Sequence, residues 1–557
     1  MPAAKADTII VNARVLTMDP TAPDAEAVAL AGERILAVGS RAAVAAMAAP
    51  DATELDARGA TVLPGFIESH MHLFPGGAEL AHLQLLGVSG AEALATAVRD
   101  YANAHPDAPI LMAQGADYEL LGHPTTRHDL DRACPDRPFA MFAADHHTAW
   151  ANTAALRAAG LLEGRALSPG NEIVMGDDGL AAGELREFEA FAPIQALGGE
   201  ERVTLGLSTG DEPDPPPSAA ERARDREILA RGIAHCTRHG FTSLVTMDGN
   251  RYTLELLAEL RAAGRLDARV RVPFHFRNFR EIAELEQASA MRRDFADDWL
   301  ASGFVKLFMD GVIDSGTAVM VDDYPDQPGW RGEPLFDADR FAAIATEADR
   351  RGLQIAVHAI GDGAVRRVLD GYAAARAANG ARDARHRIEH IELIRPEDVA
   401  RFATLGVVAS IQPCHVPGAM DFPTEPALTR IGRARWRDAF PCRRLRDAGA
   451  ALAFASDWPV ADINPLRCIQ AAMTRRPYDE SCADERLPLR EALAAYTSGG
   501  AYSEHTDDRK GMLRAGYLAD IVVLDGDIES VPGDEIAALG IAYTICGGRI
   551  THAHAPG

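Results

Sequence analysis

From about residue 231 onward, the sequence repeats one unit: an Ala-, Arg- and Glu-rich helical stretch, a glycine, and a short strand of β-branched or aromatic residues. The glycines suit the C′ position of a helix and predict helix ends at Gly240, Gly352, Gly406 and Gly449. Helices that alternate with buried strands are typical of a parallel sheet. The repeat therefore predicts an α/β fold.

The predicted parallel strands are eight in number, and they are Thr61–Ile67, Phe241–Met247, Arg271–Phe276, Gly303–Met309, Leu353–His358, Arg385–Ile391, Val407–Gln412 and Leu452–Asp457. Eight such strands with intervening helices favour a (β/α)8 TIM barrel over an open doubly wound sheet, which has no reason to stop at eight.

Two regions do not follow the repeat. Residues 1–60 and 508–557 both consist of short strands and turns, and they predict one composite β-sandwich domain built from both ends of the chain. Residues 61–507 hold the predicted barrel. The span of about residues 75–230, between strand one and strand two, is far too long for a βα connection and predicts an inserted α+β subdomain.

Charge and hydropathy exclude several classes of protein. The 557 residues are 47% hydrophobic and carry a formal charge of −25, which disfavours nucleic acid as a partner. The amino-terminal segment has no apolar signal-peptide core, and no run approaches the roughly 18 apolar residues of a membrane span. We expect a cytoplasmic protein without a membrane partner. Because the seven cysteines form no CxxC pair, any metal should have nitrogen and oxygen ligands.

Titratable residues stand where the predicted strands end, which is the face that carries the chemistry of such barrels. They are His70, His72, Lys306, His358, His390 and Asp457. Each has an ordinary structural explanation when taken alone, but their coincidence at one end predicts a metal site. Imidazoles with carboxylate oxygen suit Zn²⁺, with Mn, Fe, Co or Ni as competitors.

Lys306 is unusual because an ammonium group on an apolar strand beside metal ions is disfavoured by desolvation and by like charge. A neutral amine can add CO₂ and become a carbamate, an anionic ligand able to bridge two cations. The structural alternative is that Lys306 pairs with a carboxylate such as that of Asp310.

Six ordered motifs, PGFIESHMHL, KLFMDGVIDSGTA, VHAIGDGAV, RIEHIELI, SIQPCH and AFASDWPV, resemble the metal-dependent amidohydrolase superfamily, and in particular its amidohydrolase-3 (YtcJ-like) branch. The resemblance covers nearly the whole chain. It implies that His70 and His72 bind the more buried metal, that Lys306 is a carboxylated bridging lysine, and that His358 and His390 bind a second metal. Asp457 matches the aspartate of strand eight.

The sequence also departs from the family's pattern. Glu68 replaces a usual Asp, Gly316 replaces a frequent Arg, and the ADYE segment around Asp117 differs from a tryptophan-containing pattern. These departures leave the metal ligands intact and put the substrate in doubt.

The predicted function is hydrolysis of a C–N amide-like bond, in an N-substituted amide, a formamide or a cyclic amide, by a metal-bound hydroxide, with two Zn²⁺ ions per chain and Asp457 as the proton carrier. An ester substrate stays open. The alternatives are a mononuclear deaminase of the same superfamily, without a lysine ligand, and a non-catalytic binding protein on this fold.

The substrate is expected to be a small molecule, and a homodimer is left open. Aromatic residues and histidines near the predicted mouth are candidate substrate contacts, with packing at the barrel top as the structural alternative. They are Phe74, Tyr118, His146, His147, Trp150, Trp330, His415 and Trp458. The loop DYPDQPGWRGEPL, which follows strand four, is expected to cover the metal site.

Overall fold

The computed structural model describes residues 5–143, 146, 148–167, 171–420 and 422–554. It divides into two compact units, one formed by residues 1–72 and 233–557 and the other by residues 73–232. The helix Ala219–Arg238 contains the second of these boundaries. Each unit mixes helices and strands, so the predicted α/β class is confirmed.

The first unit contains two sheets in which all neighbouring strands are parallel. In spatial order, one sheet is Leu300–Ala301, Arg269–Arg271, Phe241–Thr246 and Phe66–Met71. The other is Phe274–His275, Phe304–Phe308, Gln354–Ala359, Arg387–His390, Val408–Ile411 and Ala451–Phe454. Most of these residues are buried, as expected for parallel strands that are covered on both faces.

Helices of the first unit follow or precede these strands. They are Arg251–Ala262, Leu285–Asp294, Ala338–Arg350, Asp362–Asn379, Pro396–Leu405, Ala427–Ile431, Cys442–Asp447, Pro465–Thr474, Leu489–Ala495 and Ser498–Ser503, with the short 3₁₀ turns Ile282–Glu284, Pro413–His415, Arg433–Asp438 and Ile536–Ala538. The four glycines that predicted helix ends all have positive φ, at 69° to 88°. Gly406 is the left-handed cap of Pro396–Leu405. The predicted helix ends are thus confirmed.

Two predicted strands are interrupted in the structure. The span Thr61–Ile67 was wrong as one strand, because Thr61–Pro64 pairs with Ile521–Leu524 whereas Phe66–Met71 pairs with Phe241–Thr246. Gly65 separates them at a contact with Thr242 so close that a Cβ would lie 2.3 Å from the threonine side chain.

The predicted strand Arg271–Phe276 is likewise two short strands, Arg269–Arg271 and Phe274–His275. Pro273 lies between them and has no N–H to donate to a sheet ladder.

Strands from both ends of the chain share one sheet. Its order is Arg549–Ala553, Ile541–Cys546, Ile521–Leu524, Thr61–Pro64, Arg14–Leu16 and Asp24–Ala25. A second sheet contains Arg34–Gly39, Ala27–Ala31, Ala6–Val11 and Ala48–Asp56, and the helix Arg41–Ala45 lies between two of these strands in sequence. Ile10, Val15 and Val28 pack in one core with Ile521 and Ile545.

The second unit contains a mixed sheet of six strands. Their order is Glu172–Met175, Ala181–Arg186, Thr148–Ala151, Phe139–Ala143, Leu111–Ala116 and Leu83–Gln84. Its helices are Leu73–Glu79, Ala91–Ala104, Arg127–Ala133, Thr153–Ala158, Phe188–Leu197 and Leu205–Ser208.

Within the part of the chain that the structure describes, no helix has the length and hydropathy needed to cross a bilayer.

Candidate metal centre

The six predicted metal ligands all lie in the first unit, in or just beyond parallel strands. His70, Lys306 and His358 lie within strands, and His390 is the last residue of its strand. His72 comes directly after the strand Phe66–Met71, and Asp457 comes shortly after the strand Ala451–Phe454. All six residues are at most 8% exposed. Burial of so many ionisable groups is costly unless they are paired or bind metal.

His70, His72 and Asp457 form one group of candidate ligands. Their candidate ligand atoms all lie within 4.8 Å of one another. The Nε2 atoms of His70 and His72 lie 3.2 Å and 3.3 Å from Asp457 Oδ1. Burial alone would raise the pKa of Asp457, but the two imidazoles hold it well below its usual value. Two imidazole nitrogens and one carboxylate oxygen therefore face the same point.

Carboxylates hold the opposite side of both imidazoles. His70 Nδ1 lies 2.8 Å from Glu389 Oε2, and His72 Nδ1 contacts Asp248 Oδ1. A carboxylate can only accept, so each Nδ1 carries the proton. Metal-binding histidines have this arrangement, in which a carboxylate fixes the ring and leaves Nε2 for the metal.

The carboxylates of Asp248 and Asp457 affect the pKa of His72. Burial would lower the pKa of His72, but Asp248 and Asp457 raise it to about 9. A cation at Nε2 would displace this proton, because histidine ligates metal only in its neutral form.

Arg387 anchors Glu389. The Arg387 guanidinium donates to Glu389 Oε1 at 2.9 Å and to Oε2 at 3.0 Å, and it also donates to the Ser69 carbonyl at 2.6 Å. Both side chains are fully buried. Burial would raise the pKa of Glu389, but Arg387 and His70 lower it to about 2, so the carboxylate is ionised at neutral pH. Arg387 thus orients His70 through Glu389.

His390 and His358 lie beside this group. The ring centroid of His390 is 4.9 Å from that of His70 and 4.5 Å from that of His358. His390 Nδ1 is buried and has no hydrogen-bond partner among the described residues. His358 Nε2 lies 3.0 Å from the Gly311 carbonyl, which leaves its Nδ1 as the candidate ligand atom. Burial lowers the pKa of His358 to about 3, so its ring is neutral.

Lys306 carries a fully buried amine that has no hydrogen-bond partner among the described residues. Its Nζ makes no hydrogen bond within the described ranges and lies 4.5 Å from the centroid of the Phe308 ring. Burial lowers the pKa of Lys306 to about 8. A buried ammonium left in this state would be unfavourable, which marks Nζ as a group that needs a ligand or a modification.

The alternative pairing of Lys306 with Asp310 is absent. The Asp310 carboxylate instead accepts from the backbone N–H groups of Val319, Ile360 and Gly361 at 2.9–3.1 Å. Asp310 therefore anchors two loops.

Backbone strain coincides with this cluster. His390, Ile391 and Asp457 have φ values of 76°, 54° and 62°. Positive φ is uncommon outside glycine, and for a β-branched residue such as Ile391 it is an outlier. Strain of this kind persists where the surrounding structure determines it, often at functional sites.

A second group of candidate ligands consists of His390, Glu392 and His415, whose ligand atoms also lie within 4.8 Å of one another. The sequence analysis named the two histidines but missed Glu392. His415 Nε2 lies 3.0 Å from the Ser456 carbonyl. Burial raises the pKa of Glu392 well above its usual value. Glu392 lies two residues after His390, a spacing that could have drawn attention to it.

Asp248 and Glu389 were also missed. Asp248 stands two residues beyond the strand Phe241–Thr246, the kind of position that predicted the other site residues. Glu389 gave no such signal, because His390 alone explained the RIEHIELI motif in which both residues lie.

Of the predicted substrate contacts in the first unit, His415 and Trp458 are buried and Trp330 is 39% exposed. Trp458 stacks on His235 with ring centroids 5.3 Å apart. Trp330 Nε1 donates to the Gly316 carbonyl at 2.7 Å, which ties the predicted covering loop to the segment after strand four.

The remaining predicted contacts belong to the second unit. Trp150 is buried in that unit's core, 5.2 Å from the ring of the half-exposed Tyr118. Phe74 is buried, and His146 lies 2.9 Å from Glu79. His147 lies outside the described residues. Their contact with substrate stays a prediction.

The departure at Glu68 has a structural role. Its carboxylate accepts from the backbone N–H and the hydroxyl of Ser456, at 2.9 Å and 3.1 Å. Glu68 therefore ties the strand that carries His70 to the segment that carries Asp457.

Known proteins resemble this chain over most of its length. A model of the amidohydrolase family matches residues 53–552. The chain is 29% identical to protein LONG AFTER FAR-RED 3 of Arabidopsis thaliana, over 98% of this chain and 91% of that protein. It is 28% identical to the putative amidohydrolase YtcJ of Bacillus subtilis, over 90% and 91%. It is 27% identical to an N-substituted formamide deformylase of Arthrobacter pascens, over 98% of both chains.

A solved structure shares the fold. The crystal structure of an uncharacterized metal-dependent hydrolase from Pyrococcus furiosus is 26% identical, covers 93% of this chain and 98% of its own, and superposes with a TM-score of 0.71.

Proposed function

The chain belongs to the amidohydrolase family, and from this premise we propose that it hydrolyses the C–N bond of an N-substituted amide, with formamides as the first candidates. The observation that carries the proposal is the convergence of His70 and His72 Nε2 on Asp457 Oδ1, with both Nδ1 atoms held by carboxylates. The formamide class is supported by the A. pascens relative, which matches over 98% of both chains.

The donor set fits divalent metal. His70, His72, Asp457, His358, His390 and a modified Lys306 would hold two ions, and Zn²⁺ suits imidazole and carboxylate ligands best. Lys306 Nζ and His390 Nδ1, which are buried and have no hydrogen-bond partner among the described residues, support this assignment. When bound, a divalent metal acts as a Lewis acid and acidifies water.

The residues of the chain move the protons. Asp457 accepts the proton of the attacking water at the carboxylate oxygen other than Oδ1 and returns it to the nitrogen of the leaving amine. Glu389 and Asp248 keep His70 and His72 in the orientation that leaves Nε2 free, and Arg387 keeps Glu389 ionised.

Lys306 is a carbamate in this proposal. Its neutral Nζ forms a C–N bond to CO₂ and releases a proton to solvent, and the resulting anion would supply oxygen ligands for divalent metal. The fully buried, unpartnered amine with its lowered pKa supports this step.

The two parallel sheets are the wall of one (β/α)8 barrel in the same proposal. Support comes from backbone bonds between the first strand and the segment after the last strand. Asp457 N donates to the His70 carbonyl at 3.0 Å, and His72 N donates to the Trp458 carbonyl at 2.7 Å.

The test compares Lys306→Ala with Lys510→Ala, a buried lysine that is ion-paired with Glu504. We expect Lys306→Ala to lose one metal and most hydrolysis of a panel of N-substituted formamides, N-acyl amines and cyclic amides, with partial rescue by short carboxylic acids. Lys510→Ala should keep both ions. One metal per chain, an unmodified Lys306 and full activity in the wild type would instead identify the mononuclear deaminase type of site.

A further inference from the structure

A separate cavity of about 200 Å³ lies in the first unit, away from the metal ligands. It lies between the strands Arg269–Arg271 and Leu300–Ala301 and the segment 504–510. Ser302 in its wall precedes the strand Phe304–Phe308, whose later residue Lys306 belongs to the metal centre. The cavity therefore lies toward the amino-terminal ends of the parallel strands.

Arg271 is the unusual residue of this cavity. Its guanidinium makes no hydrogen bond and no ion pair with any described residue, and its Nη1 atom is buried. The closest aromatic ring is that of Phe304, 5.3 Å from the guanidinium carbon. Burial lowers the pKa of Arg271 to about 10, so the group is charged at neutral pH. Arg271 is thus a partly buried cation whose neighbouring carboxylate, Glu504, is already ion-paired with Lys510, which requires an explanation.

Neighbouring charges are already paired. Arg269 binds Asp520 at 2.7 Å, Lys510 binds Glu504 at 2.8 Å, and Arg509 binds Asp298 at 2.8 Å. The charge of Glu504 favours the Arg271 cation, but Lys510 shares that carboxylate, and the nearby guanidinium groups of Arg387, Arg509 and Arg292 oppose it, so positive charge is in excess around Arg271.

Two further cavity atoms lack partners among the described residues. They are the hydroxyl of Ser302, which is 7% exposed, and Glu504 Oε1. The first can donate to an anion. The second can only accept, so it suits a ligand that also presents an O–H group.

We propose that this cavity binds inorganic phosphate, whose monoanion and dianion both keep an O–H group at neutral pH. Arg271 and Ser302 donate to its oxygens, and its remaining O–H donates to Glu504 Oε1. The volume is sufficient, since a water molecule occupies about 30 Å³ of liquid. Carboxylates and sulfate lack the O–H group at neutral pH and leave Glu504 unsatisfied, so they bind less well.

The experiment measures binding to the metal-loaded protein by calorimetry and by thermal unfolding at constant ionic strength. The probes are inorganic phosphate, a simple phosphate monoester, sulfate, acetate and chloride. We expect saturable stabilisation by phosphate, weaker stabilisation by sulfate and acetate, and none by chloride. A larger effect of the monoester, which is mainly an O–H-free dianion at neutral pH, than of phosphate would contradict the O–H bond to Glu504 Oε1.

Variants separate this site from binding at the metal centre. Arg271→Met should raise the dissociation constant for phosphate roughly a hundredfold, and Ser302→Ala should raise it roughly tenfold. The exposed control Arg293→Met should leave it unchanged. Ser302→Ala removes only a hydroxyl and keeps the test informative if Arg271→Met does not fold. Equal phosphate shifts in wild type and variants, or no saturable shift in the wild type, would overturn the proposal.

Discussion

Replacing Glu389 with glutamine tests the link from Arg387 through Glu389 to His70. The carboxylate accepts from His70 Nδ1 at 2.8 Å and from Arg387 at 2.9 Å and 3.0 Å. Glutamine replaces one of the two carboxylate oxygens with an NH₂ group. In either orientation of the amide, this NH₂ group faces an N–H donor of His70 or Arg387. At least one bond is lost, and Arg387 loses its buried counter-charge.

The two consequences have different magnitudes. Breaking a buried ion pair costs about 3–5 kcal/mol in the free energy of unfolding. If the amide nitrogen faces His70, the proton moves to Nε2 and blocks its lone pair, and such changes weaken metal affinity about 10–100-fold. That loss corresponds to about 1.4–2.7 kcal/mol of binding free energy.

The assay is urea unfolding of the chelated protein, together with metal content measured against a series of competing chelators. The matched control is Glu286→Gln, a surface carboxylate that is 60% exposed and bonds to Arg293 and Arg351. It should change stability by less than about 1 kcal/mol and leave metal affinity unchanged. If Glu389→Gln behaves like this control in both measurements, the positioning role assigned to Glu389 is wrong.

Three other changes have predicted outcomes. Gly249 follows Asp248, and in Gly249→Ala the new Cβ would lie 1.9 Å from the Pro273 carbonyl oxygen, so stability should fall by about 1–3 kcal/mol or more and metal content should drop. The control is Gly39→Ala, which has open space around it. Normal metal content in Gly249→Ala would contradict this prediction. Burial would raise the pKa of Asp349, but bonds from His386, Asn379 and Arg382 lower it, so its stabilisation is present above the unfolded pKa of about 3.9 and is lost as pH falls. Asp349→Asn should therefore cost about 1–3 kcal/mol in urea unfolding at pH 7 and less below pH 4, and a pH-independent cost would refute it. Trp330→Ala should change KM across an amide panel without changing metal content, and an unaltered substrate profile would count against its place at the pocket.

The sequence predicted candidate metal ligands because these polar residues stand in, or just after, apolar strands. Such positions are readable without tertiary structure, since a buried strand and a helix-ending glycine mark the boundaries. His358, His390 and Asp457 were predicted in this way, and their role as ligands stays a prediction.

Partners that depend on distant segments could not be read. Glu389 meets His70 across more than 300 residues of chain, and nothing local indicates that Arg387 holds it. Lys306 lacks Asp310 as a partner because backbone N–H groups at Val319, Ile360 and Gly361 occupy that carboxylate. These groups come from loops whose positions only the fold determines.

The predicted first strand shows the same limit. The run from Thr61 to Ile67 is uniformly apolar, so its pattern gives no sign that the chain passes from one sheet to another at Gly65. The close contact with Thr242 that requires this glycine belongs to the folded state.

The most direct measurement starts from protein whose metal has been removed with a chelator. Metal is then added stepwise, and hydrolysis of an N-substituted formamide is the readout. Metal dependence predicts no amine release before Zn²⁺ is added, and activity that rises with each equivalent and levels off at two. His70→Asn, which keeps an amide near Glu389, should not recover at any metal concentration near stoichiometry. Full amine release by the chelated wild-type protein would contradict the account.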